Sequence, residues 1–203
     1  MNFFGLNRGS APRAEVGSDS TSRSLAGSVL YGSLSFGLVS VLAYSIWAFR
    51  WVPGTAGLYS TIALVYVGLG GLALSRLVCG PGAWKRFPLL FAAAFLVYAI
   101  GWCALWFGLK GKHLADLWGA AVGLAGMTWL LQRAFGKESG FFRLFAGLFA
   151  FHCIGYYLGG ELYAQIRGPA GRLLWGAAHG LGFGAGLGYV LFHCQASRPA
   201  SRA

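Results

Sequence analysis

Leu173-Leu-Trp-Gly-Ala-Ala-His179-Gly-Leu-Gly-Phe-Gly-Ala-Gly-Leu-Gly-Tyr189-Val-Leu-Phe192 decides how the rest of the chain is read. It is apolar throughout, rich in glycine, and carries one histidine. Gly176, Gly180, Gly182, Gly184, Gly186 and Gly188 would make a poor helix in water, where each glycine costs about 1 kcal/mol relative to alanine. In lipid the same residues are useful. Gly176, Gly180, Gly184 and Gly188 recur every fourth residue and line one stripe, with Gly182 and Gly186 forming a second row. Such rows let neighbouring helices approach to backbone contact, where dispersion packing replaces the missing hydrophobic drive. The stretch is expected to be the glycine-rich central helix of a membrane bundle.

Composition points the same way. Of 203 residues, 57% are hydrophobic and 10% charged, against about 25% charged in soluble domains. The net charge of +11 is spread over short gaps between apolar runs, where basic residues set orientation and meet anionic headgroups. No basic domain exists to hold nucleic acid, so none is expected as a partner. Cys79, Cys103, Cys153 and Cys194 form no Cys-x-x-Cys pair and read as small apolar thiols.

Upstream of the glycine stretch, apolar runs predict five further spans. They are about Leu25 to Trp47, Gly57 to Val78, Phe87 to Leu109, His113 to Phe135 and Phe141 to Tyr163, with Leu173 to His193 as the sixth. Each is near the roughly 20 residues that cross a hydrocarbon core. Arg50-Trp51-Val52-Pro53-Gly54 and Cys79-Gly80-Pro81-Gly82 are helix stops. The short gap Lys110-Gly111-Lys112 makes the third and fourth spans a tight antiparallel hairpin. The fold class is therefore all-α: a polytopic six-transmembrane-helix bundle over residues 25–194. Residues 1–24 are expected to be a mobile cytoplasmic tail and 195–203 a short second one. Eleven Lys and Arg fall on the side of the termini and five on the other, which places both termini in the cytoplasm of a bacterial cell.

Ionisable groups in lipid are costly and tend to be kept for a reason. His152 lies mid-span in the fifth helix and His179 about two turns into the sixth. Asp116 and Glu161 sit at outer rims, where Lys112, Arg167 or Arg172 are expected to pair with them. With Tyr156, the two histidines form a candidate ligand site. His179 and His193 are fourteen residues apart on one helix face, a spacing that resembles the paired ligands of b-type cytochromes and implies haem b as an alternative cofactor; otherwise no cofactor and no metal is expected.

Ala178-His179-Gly-Leu-Gly182-Phe-Gly-Ala-Gly186 and Gly123-Leu-Ala125-Gly126 are similar to two motifs of the rhomboid intramembrane proteases. By that resemblance His179 stands at the general-base position and Ala125 at the nucleophile position, beside Gly123 and Gly126. Alanine has no hydroxyl to activate, so the resemblance implies an inactive, rhomboid-like bundle with no catalytic residue. Two functions follow from the residues. One is a non-enzymatic subunit or assembly factor that docks on other membrane proteins, or on itself, through outward glycine stripes. The other is a pseudoenzyme or binder of a lipid, quinone or substrate helix, with an outward-opening cavity around His179, His152, Tyr156 and Ala125. The first requires glycine faces that point outward; the second requires these side chains to converge.

Overall fold

A computed structural model describes residues 24–80 and 82–195. Both expected tails lie outside the described residues, apart from Ser24 and Gln195. The described chain is helical, with no strand among its residues: α1 Leu25–Ala48, α2 Thr55–Ser75, α3 Ala83–Gly108, α4 Ala115–Ala134, α5 Phe141–Ile166 and α6 Gly168–Gln195. Four of them, α1, α2, α3 and α5, are long and apolar enough to cross a membrane. The 20-residue α4 and 28-residue α6 have the length but are less apolar.

Local chemistry explains the boundaries. Ser24 caps α1, its hydroxyl accepting from the Gly27 N–H at 3.0 Å. Helix ends fall where the backbone turns left-handed: Arg50 and Gly54 after α1, Gly82 before α3, Lys110 and Gly111 after α3, Gly136 and Gly140 around the α4–α5 turn. α6 begins five residues before the expected Leu173, because Arg167 (φ 53°) and Gly168 (φ 61°) make the whole corner. Pro169 then occupies the first turn, where its missing N–H costs nothing. α2 carries a π turn at Tyr66–Gly70, a departure that apolar periodicity alone does not signal. Gln195, expected in the tail, is the last helical residue. Its amide donates to the Leu77 and Leu191 carbonyls and accepts from the Cys79 N–H, which ties the end of α6 to the α2–α3 turn.

Packing is dominated by α6, which runs between α1 and α5. A Cβ on Gly180 would lie 2.9 Å from the Cα of Gly37, one on Gly184 2.7 Å from the Phe36 Cβ, and one on Gly188 2.9 Å from the Ser28 carbonyl carbon. Gly176 abuts Tyr44 on the same helix. The second row turns to α5, Gly182 against Gly155 and Gly186 against Leu148. Gly123 and Gly126 on α4 meet Tyr98 and Val97 of α3, and Gly101 meets Gly123 in return. All eight glycines singled out in the sequence thus contact another helix of the same chain. Serine adds to the α1–α6 seam: Ser33 donates to the Leu181 carbonyl at 2.9 Å and Ser40 to that of Gly176 at 2.6 Å. Leu30, Leu34, Leu38 and Leu42 form an exposed apolar stripe on α1.

Candidate functional site

α1, α2, α3, α5 and α6 enclose an unsealed cavity of about 350 Å³ toward the end where α1 stops and α6 starts. Its walls are aromatic for a reason of spacing. Tyr44 and Trp47 are three apart on α1, and Phe95, Tyr98, Trp102 and Trp106 follow at three and four on α3, so each set lies on one helix face. Trp102 and Trp106 stack with centroids 5.2 Å apart, and Trp175 of α6 closes on Trp47 at 5.8 Å. The α2 wall is Leu58, Tyr59, Ile62, Ala63 and Tyr66. It is the least packed side, since no residue of Thr55–Val65 is buried. The lining contains no Asp, Glu, Lys or Arg.

His179 lies in the lining, and its Nε2 is 3.2 Å from Nε2 of His152. His152 is 1% exposed and His179 7%, so both rings are buried and only His179 shows an edge to the cavity. Tyr98 Oη lies 2.9 Å from His152 Nε2, and Tyr44 Oη 3.4 Å from His179 Nδ1. Tyr156 stacks on His152 at 6.0 Å and meets His179 edge-on at 5.6 Å. Beside this chain, Ser40 Oγ contacts both the Gly176 carbonyl and Tyr66 Oη at 2.6 Å. Serine has one hydrogen and the carbonyl can only accept, so Ser40 donates to Gly176 and Tyr66 donates to Ser40. Two ring nitrogens of this cluster are buried with no partner, His152 Nδ1 and Trp175 Nε1.

The structure thus brings together three of the four residues singled out as a ligand site, His179, His152 and Tyr156. Ala125 does not line the cavity; the rings around His179 belong to Tyr44, His152, Tyr156 and Phe183. His193 lies fourteen residues along α6, about 21 Å away, with its ring against Tyr189 at 4.6 Å. His152 and His179 touch, which leaves no room for a porphyrin between them. Among the described residues no three His, Cys, Asp or Glu side chains gather to hold a metal ion.

No family model, curated protein or solved structure matches this chain.

At the rim, Arg172 does not seek an acid. Its guanidinium donates to the Trp47 carbonyl at 3.1 Å and the Ala48 carbonyl at 3.4 Å, and lies 4.8 Å over the Trp47 ring. It caps the end of α1, whose last carbonyls lack partners within the helix, and fixes the Trp47 wall. Asp116 accepts from the Leu117 N–H at 2.9 Å. Tyr44, Tyr66, Tyr98 and the Trp walls are site residues that the apolar pattern alone does not single out; the i, i+3/i+4 aromatic rows on α1 and α3 are the signal for them.

Proposed function

We propose that the chain is a ligand-binding integral membrane protein whose aromatic cavity takes a small, neutral, mostly planar molecule against His179. The convergence of His179 and Tyr156 on one aromatic cavity, with His152 directly behind His179, carries this reading. A cavity of this size, mostly apolar with a few converging polar groups, has the composition of small-molecule sites. The lack of charged lining supports a neutral ligand, because a charge there would have no counter-ion. The glycine rows support it over the docking-factor reading, since their faces are taken up within the chain.

The proposal includes six spans in a bacterial cytoplasmic membrane with both termini inside. Glycine depresses the hydropathy of α6, but its glycine faces lie against α1 and α5 and have no lipid to match. α4 is long enough to cross, at about 30 Å. The binder reading is tested by purification in mild detergent and mass analysis of the small molecules that co-purify. A stoichiometric species should accompany the wild type and be lost from Ala99→Phe, which fills the cavity from its α3 wall while keeping the fold. Equal recovery from both proteins would overturn it.

A further inference from the structure

We infer that the N-terminal half of α2, Thr55–Val65, is a side gate that swings about the π turn at Tyr66–Gly70 and opens the cavity to the hydrocarbon of the membrane. The ligand then arrives dissolved in lipid and not from water. This deepens the binder reading and rests on it. The carrying observation is that α2 consists of two unlike halves joined at an irregular turn.

From the turn onward α2 is fixed. Tyr66, Gly70, Gly71, Leu74 and Ser75 are buried. A Cβ on Gly71 would lie 2.9 Å from the Pro88 Cα of α3, and one on Gly70 2.9 Å from the Phe36 and Phe91 rings. Tyr31 of α1 donates to the Ala73 carbonyl at 3.1 Å. The half before the turn has no such hold. No residue of Thr55–Val65 is buried, and this half packs on α1 but scarcely touches α3. Tyr59 meets Phe107 of α3 edge-on at 6.0 Å, and the two residues are 40% and 53% exposed. Gly54 begins the helix with no side-chain cap. Yet this loose half supplies Leu58, Tyr59, Ile62 and Ala63 to the cavity wall.

Tyr66 is the pivot between the halves. It donates to Ser40 at 2.6 Å and stacks on Phe36 at 5.4 Å and Phe95 at 5.3 Å. The π turn begins at this residue. Such turns interrupt the regular hydrogen-bond ladder, and helices bend at them. Within the turn Gly68 has open space where a Cβ would stand, so no neighbour braces it on that side. What borders the cavity sets the direction of opening. Where α1 stops, Trp47, Tyr163 and Trp175 pack on one another at 5.6 to 5.8 Å with Arg172 over Trp47, which shuts that corner. The seam between α2 and α3 is instead bordered by the exposed rings of Tyr59 and Phe107, surface that lipid covers.

The test is the rate at which a naphthalene bearing a diazirine, added from lipid vesicles, enters and leaves the cavity of the full chain in liposomes. Flash photolysis and peptide mapping read both rates. Labelling of the exposed Leu30, Leu34 and Leu38 face marks arrival in the bilayer. Tyr59→Cys with Phe107→Cys, in a chain whose four native cysteines are alanine, is joined by a short bis-methanethiosulfonate that reductant releases. The tether should slow entry and release by about tenfold or more, and reductant should restore both. Phe107→Ala in the otherwise native chain removes the ring contact from outside the lining. It should raise both rates alike by about threefold to tenfold, the worth of one ring pair, and leave equilibrium labelling unchanged. If the cysteine variant does not fold, Phe107→Ala decides alone. Rates unmoved by either change overturn the gate and leave the cavity reading standing. Absence of any labelling of the cavity in the wild type overturns the cavity reading itself.

Discussion

His152 is the residue whose surroundings most repay attention: one ring nitrogen serves two neighbours and the other serves none. Buried polar groups of this kind are costly unless paired, so each bond in the chain holds the helices that supply it. Tyr98→Phe removes the 2.9 Å bond between α3 and α5 and little else. It should destabilise the protein by about 1 kcal/mol, read as a fall of about 2–4 °C in Tm for a chain of this size. No change would mean that the bond adds nothing to stability. At this scale the sequence was partly legible. A histidine in an apolar run announces itself by its cost, and His152 and His179 were found that way. Tyr44 and Tyr98 were not, because a tyrosine on an apolar helix looks the same whether its hydroxyl meets lipid headgroups or another side chain. Only the rotation of each helix about its axis tells the two apart. Ala125, a small residue between glycines, matches a motif by composition, whereas lining a cavity is set by packing, and it lies outside this one.

Among the helices, α6 shows most clearly how glycine is spent. A Cβ at Gly184 would sit 2.7 Å from the Phe36 Cβ and press on the Gly32 carbonyl, so α1 and α6 would have to part. Gly184→Ala should therefore cost about 1–3 kcal/mol despite alanine's better helix propensity. Gly68 is the control, since a Cβ there has nothing within 4 Å. Gly68→Ala should leave Tm unchanged or raise it, by up to about 1 kcal/mol of stability. If the two variants melt together, the close approach of α1 and α6 is not what holds this pair. The four-residue spacing made the glycine rows legible in advance. Which helix each row would face was not, because spacing gives a face and only the neighbours' own small residues, Gly32, Gly37 and Gly155, give it a partner. The π turn in α2 was also beyond reach, as Tyr66–Gly70 has the same apolar character as an ordinary turn.

Seen as a whole, the molecule has one end where Tyr, Trp and His179 gather around a cavity and another where Gln195 ties α6 to the α2–α3 turn. The proposed topology, argued from eleven basic residues against five, puts the cavity end outside. In a bacterial host, alkaline phosphatase fused after Lys110 should be active and after Arg202 inactive; the reverse would invert the proposed topology. The all-helical class is plain from the apolar composition and run lengths. The cavity was not, because it is made by five helices whose contributions are separated by up to about 140 residues, from Tyr44 to Phe183. The central claim is that this cavity, and not the lipid-facing surface, takes the ligand. Photolabelling with an apolar ring bearing a diazirine, followed by peptide mapping, tests it most directly. Saturable labelling is expected, confined to residues 44–47, 58–66, 95–106, 156 and 175–183 and abolished in Ala99→Phe. Unsaturable labelling along the exposed Leu30, Leu34 and Leu38 stripe, with those segments unmarked, would contradict it.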